Sequence, residues 1–198
     1  GAPILTVLFL SMVTSLFGFQ PGVLMPVIVA EILNGSSETL GFMSAAAGLG
    51  ALIGSLFVAG MKENAQRIRV LIGIACILLA VSIFTLAVST SLILSMAAVA
   101  LSGACVSTQL SGGQSIVQGS VSKSARGRLM GVYSTFMVGF APFASMLAGW
   151  LGSTIGVSYT LIIASVAIFG SALLYLAVVY AIGLARRNDG DGEGGAPA

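Results

Sequence analysis

Six long apolar runs, separated by short polar or basic turns, set the limits on what this chain can fold into. They cover about 3–33, 39–60, 70–88, 92–121, 129–151 and 159–184, and none carries Asp, Glu, Lys or Arg in its central third. A helix crossing the hydrocarbon core of a bilayer needs about 20 mostly apolar residues, so each run is long enough to span. Only 7% of the residues are charged and mean hydropathy is +1.08. Soluble domains carry roughly 25% charged residues, so a water-facing surface has too little to build it from. In lipid each segment must satisfy its own backbone groups, which makes long runs helices. The ten-residue alternation of barrel strands is absent.

The charges then orient the bundle. All eight Lys and Arg lie in the second turn (Lys62, Arg67, Arg69), the fourth turn (Lys123, Arg126, Arg128) or at Arg186 and Arg187. Cytoplasmic loops collect Lys and Arg, so both termini are expected in the cytoplasm, with the protein in the plasma (inner) membrane. An even number of spans requires the same arrangement.

The spans also differ by threes. The second and fifth are glycine-rich, the first and fourth hold most mid-run polar and helix-breaking residues, and the third and sixth are branched-aliphatic. Small and polar residues belong where helices pack closely or line a cavity, and aliphatics where they meet lipid. The expected fold is an all-α membrane protein of six transmembrane helices in two three-helix inverted repeats. Its third and sixth helices would face lipid. Residues 1–187 form the six-span unit, and the acidic, glycine-rich 188–198 form a cytoplasmic tail expected to be disordered.

Several function classes fall away. Histidine is absent, and no carboxylate pair sits within a span, so the chain is expected not to be an enzyme. Leu110-Ser111-Gly112-Gly113-Gln114 spells the LSGGQ signature of ATP-binding-cassette domains. It lies inside an apolar run, and no GxxxxGK[ST] phosphate loop accompanies it. Gly48, Gly50 and Gly54 miss the GxGxxG spacing of dinucleotide sites. Cys76 and Cys105 sit in separate spans and read as small apolar residues. No cofactor, metal or nucleic acid is expected.

Ligand contacts are expected from polar residues at depth. Gln20, beside Pro21 and Gly22, lies where the first helix is disrupted and its backbone needs partners. Thr108 and Gln109 lie at similar depth on the fourth span, and Phe19 would line the same cavity; interhelical hydrogen bonding is the alternative for the polar ones. Lys123, Arg126 and Arg128, with Arg67 and Arg69, mark the cytoplasmic face and are candidates for a gate, since guanidinium groups pair with carboxylates and helix C-terminal carbonyls. Gly50 and Gly54 form a GxxxG pair for close packing. Gly131, Gly139, Pro142 and Gly149 mark a fifth helix able to pack closely and bend.

The stretch Gln114–Trp150 resembles the tenth-to-eleventh span region of the major facilitator superfamily, nearest its siderophore and macrolide exporter branch. The residues concerned are Gln118, Arg126-Gly127-Arg128, Gly131 to Tyr133, Gly139 with Pro142, and Gly149. Pro26 and the run Gly41 to Leu52 resemble that branch's seventh and eighth spans. The resemblance implies the C-terminal half of a twelve-span secondary transporter that works by alternating access and exports small apolar or amphipathic compounds. Its partners would be the bilayer, a small-molecule substrate, and an N-terminal six-span half or a second copy of this chain. One departure is clear: the family's Gly-x-x-x-Asp-x-x-Gly-Arg loop is replaced by Gly60, Lys62-Glu63, Arg67 and Arg69, which puts gating by that loop in doubt. The alternative is a stand-alone six-span protein, either a dimeric half-transporter or a non-transporting assembly subunit.

Overall fold

The computed structural model describes residues 16–18, 20–61, 65–119 and 141–192, together with Gly127, Gly131, Thr135 and Gly139; side chains are described except at 20, 65, 117–119, 141 and 182–192. Among the described residues six α-helices have defined bounds: α1 Gln20–Val27, α2 Ser37–Ala59, α3 Ala65–Val88, α4 Leu92–Gly119, α5 Ala141–Ile155 and α6 Val157–Gly192. Among the described residues there is no strand. Four helices, α2, α3, α4 and α6, are individually long and apolar enough to cross a membrane. α6 continues as helix past residue 187, through Gly192.

Local chemistry sets the breaks. The first span turns at Gly18, and α1 then opens with Pro21 in its first turn, where a missing N–H costs nothing. Pro26 lies inside α1, and the chain widens directly afterwards into a π-helix, Ile28–Ile32, closed by Leu33 N–H donating to the Ile28 carbonyl at 3.0 Å. Proline removes a ladder bond and pushes against the carbonyl four residues back, and π-turns are one way a helix absorbs such a defect. Asn34 then adopts a left-handed φ of 48°, and Ser36 N–H donates to Thr39 Oγ1 at 3.3 Å as α2 begins. The α3–α4 turn is held by Ser89, whose Oγ accepts from Ser91 N–H and Ser95 Oγ–H. The expected turn at 152–158 shrinks to Gly156, whose φ of +90° suits a residue without Cβ.

Neighbours pack in the order α2–α4–α3–α6–α5–α1, and α1 also touches α6. The main core joins Ile28 and Val29, Met43, Leu79 and Ile83, Val99, Ala148, and Leu161 and Ile168. A second core, of Ile68, Ile72, Cys76, Ile116, Ala172, Tyr175 and Val179, seals one end of the α3–α4–α6 contact. The third span, expected to face lipid, also carries much of the packing within the chain. Within the chain, 56% of the α3 spanning window is buried, against 22% for α2. α3 is central, wedged between α4 and α6, and leaves only a stripe of Val70, Ile74, Leu78, Val81, Phe84 and Val88 exposed. Branched aliphatics fill a core as readily as they meet lipid, so composition does not separate the two.

Candidate functional site

Glycine decides where helices touch and where they stay apart. On α2, a methyl group at Gly50 or Gly54 would overlap the backbone carbonyl of Ala100 or Ala104 on α4. On α4, one at Gly103 would overlap the Ala47 carbonyl. These three positions therefore bring the α2 and α4 backbones into direct contact, which is how small residues join helices in lipid. Thr108 Oγ1–H, donating to the Gly54 carbonyl at 3.4 Å, crosses the same seam. Gly48 behaves differently. Its missing side chain would meet nothing within 4 Å, and the same holds for Gly22 on α1.

Gly22 and Gly48 open into a cavity of about 420 Å³ between α1, α2 and α4. α1 contributes Pro21, Gly22 and Met25, α2 contributes Ala47, Gly48 and Ala51, and α4 contributes a face running from Val99 to Leu110. The cavity exists because α1 packs on α5 and α6 while approaching α2 and α4 only loosely, and because the facing side chains are small. It lies midway along α2 and α4. Among the described residues no ionisable side chain lines it, and Ser102 and Ser107 are the polar side chains that do. Ser102 donates its hydroxyl proton to the Val99 carbonyl at 2.8 Å. Ser44 donates its hydroxyl proton to the Leu40 carbonyl at 2.8 Å, with the Met25 sulfur 3.8 Å from the same hydroxyl.

The residues singled out from sequence fall around this cavity in different ways. Gln20 opens α1 beside the lining residue Pro21, with its side chain outside the described set; Phe19 lies outside the described residues. Thr108 and Gln109 are buried and do not line the cavity, although their neighbours Ser107 and Leu110 do. Arg67 is exposed on the first turn of α3 and Arg69 is half-buried there. Lys123, Arg126 and Arg128 lie outside the described residues. Gly131 and Gly139 are helical and open to space, as are Pro142 and Gly149 on the outside of α5. Gly112, within LSGGQ, faces Ile68 and Ile72 of α3 at 3.0–3.3 Å from its would-be Cβ, so that glycine serves helix packing. Sequence reasoning missed Ala47, Ala51, Ser102 and Ser107. A run of small residues offset from the GxxxG pair was the available signal. Among the described residues no cluster of His, Cys, Asp or Glu could hold a metal ion.

Apolar helices of spanning length border a mid-depth cavity, and the family comparison adds what such an arrangement belongs to. The model of the transmembrane secretion effector family matches residues 2–187. This chain belongs to that major facilitator transporter family. As a member it is an integral membrane protein in contact with the bilayer, and its function is transport, not catalysis. No curated protein and no solved structure matches it.

Proposed function

We propose that this secretion-effector chain is the C-terminal six-span half of a secondary active exporter, and that the cavity between α1, α2 and α4 is its part of the substrate site. The observation that carries this is the cavity itself: mid-depth, about 420 Å³ and, among the described residues, without an ionisable group. Transporter sites lie near the bilayer midplane, often beside interrupted helices, and α1 is interrupted at Gly18 and again at its π-turn. Small apolar or amphipathic compounds suit such walls, because an unpaired charge would cost several kcal/mol or more there.

Most of the helix pairings, though not α5–α6, which has no comparable α2–α3 counterpart among the described residues, support an inverted repeat of α1–α3 with α4–α6. Exchanging the two triplets carries the α2–α4 contact onto α5–α1 and the α3–α4 contact onto α6–α1, and leaves α3–α6 unchanged. Alternating access would rock this unit against an N-terminal half, with both termini in the cytoplasm of a plasma (inner) membrane. Its presence is tested by reading the gene upstream in frame. Six further spans containing Gly-x-x-x-Asp-x-x-Gly-Arg between the second and third support the half reading; their lack turns it to a dimer of this chain.

Transport itself is tested in inverted membrane vesicles carrying the full-length protein, with a lipophilic fluorescent dye and an imposed proton gradient. Gradient-driven accumulation is expected. Gly48→Phe should abolish it at normal expression, since the space at its would-be Cβ is open and borders the cavity. Gln20→Ala should weaken it. Undiminished transport by Gly48→Phe would remove the cavity from the mechanism.

A further inference from the structure

Arg69 lies on the first turns of α3, half-buried, and its Nε–H is covered without reaching an acceptor among the described residues. The carboxylates whose side chains are described, Glu31 and Glu38, stand at the opposite end of the bundle, in the π-turn and the first turn of α2. A covered cation needs a counter-charge, and the described side chains supply none. The surroundings of Arg69 indicate where one can come from. α3 and α6 run antiparallel: Leu79 and Ile83 share a core with Leu161 and Ile168, and Ile68 and Ile72 share the other with Tyr175 and Val179. A side chain at Gly73 would overlap Leu176, so the two helices touch there. One turn further along each toward the same end, and on the same faces, come Arg69 and Tyr180. Tyr180 is 70% exposed. Away from that end the cleft is flanked by exposed hydrocarbon, Val70 and Ile74 on α3 and Phe169 and Leu173 on α6.

We propose that the mouth of the α3–α6 cleft binds an anionic phospholipid. The Arg69 guanidinium takes its phosphate, Tyr180 stands beside the headgroup, and an acyl chain runs along Val70, Ile74, Phe169 and Leu173. A guanidinium fork pairs with phosphate through two hydrogen bonds, and Tyr favours the headgroup level. This end carries the basic turns and is the one expected in the cytoplasm. The leaflet there is anionic, and basic pockets between spans hold acidic headgroups. The stem of Arg69 can rest on apolar surface while its head stays at the interface. The hydrocarbon directly below the cation is what selects a lipid over a free phosphate. The site stands apart from the cavity and does not depend on the cavity's role.

The test places the full-length protein in phosphatidylcholine nanodiscs doped with a phosphatidylglycerol or a phosphatidylcholine that bears a diazirine on one acyl chain. After illumination, lipid attached to residues 70–74 and 169–173 is measured by peptide mass spectrometry. Phosphatidylglycerol is expected to label the wild type about tenfold more than phosphatidylcholine, the ratio set by charge-assisted hydrogen bonds. Arg69→Met keeps the stem and drops the charge, and should bring that ratio close to one. Arg69→Lys, a cation without the fork, should fall between the two. Equal labelling by both probes in the wild type would overturn the proposal, and that comparison needs no variant to fold. A phosphatidylglycerol preference that survives in Arg69→Met would overturn Arg69 as the ligand. In discs of phosphatidylcholine alone, Arg69→Met should not lower Tm. A drop there would mean that a carboxylate of the protein itself meets Arg69, and the lipid would not be its partner.

Discussion

Gly48 and Gly50 stand two residues apart on one helix, and the same substitution means opposite things at each. At Gly50 any side chain collides with the Ala100 carbonyl, and a backbone cannot move aside as a flexible side chain can. Gly50→Leu should therefore force α2 from α4, destabilising the fold by ~3 kcal/mol, at the upper end of overpacking costs. Thermal unfolding in detergent would show this as a marked drop in Tm, whereas Gly48→Phe should leave Tm near wild type. A second residue-scale expectation concerns Tyr175 in the smaller core. The residue is only 1% exposed and its hydroxyl has no hydrogen-bond partner among the described residues. Removing an unsatisfied buried hydroxyl is neutral to favourable, so Tyr175→Phe should raise stability by about 1 kcal/mol. A drop in Tm would mean that the hydroxyl has a partner.

At the scale of elements, α4 carries the most competing demands. One face meets α2 through Ala100, Gly103, Ala104 and Thr108, a second meets α3 through Gly112, and a third borders the cavity through Ser102 and Ser107. Gly112 of its LSGGQ string belongs to the second of these, and Leu110 to the third. Gly112→Val should loosen the α3–α4 contact, because Ile72 already stands 3.0 Å from where the Cβ would go. The expected result is a lower Tm for the variant, with a photoreactive ATP analogue failing to label either protein. Labelling of the wild type that Gly112→Val abolishes would restore the nucleotide reading. On α1, Pro26 removes a ladder donor within the helix, beside the cavity, while Pro21 sits in the first turn, where none is lost.

At the scale of the molecule, both basic turns would lie at the cytoplasmic end. In the fourth, Arg126 and Arg128 are candidates for a latch that holds this end closed by pairing with carboxylates or helix C-terminal carbonyls. Arg126→Ala combined with Arg128→Ala should raise labelling of cavity cysteines, placed at Ser102 or Ser107, by a reagent added from the cytoplasmic side. Labelling unchanged from both sides would dismiss the latch and leave these arginines as topology markers. Burial also differs between helices in a way that only the assembled bundle has. α3 buries more than half its spanning surface within the chain while α2 leaves most of its own uncovered, including Phe42, Leu49, Leu52, Ile53, Leu56 and Phe57.

By itself the sequence determined the solvent, the secondary structure and the family. Long uncharged runs admit only helices in lipid, and the motifs of Gln114–Trp150 point to a major facilitator transporter. It also marked Gly50 and Gly54 as small residues suited to helix packing. Tertiary structure alone decided that Gly48 opens a cavity while Gly50 closes a seam, that Ser102 and Ser107 line the space while Thr108 and Gln109 sit behind it, and that α3 is central. The reason is the solvent. In water, the polar face of a helix announces which side is buried. In a bilayer, lipid tails are as apolar as the core, so inside, outside and cavity draw on the same residues, and only contact tells them apart.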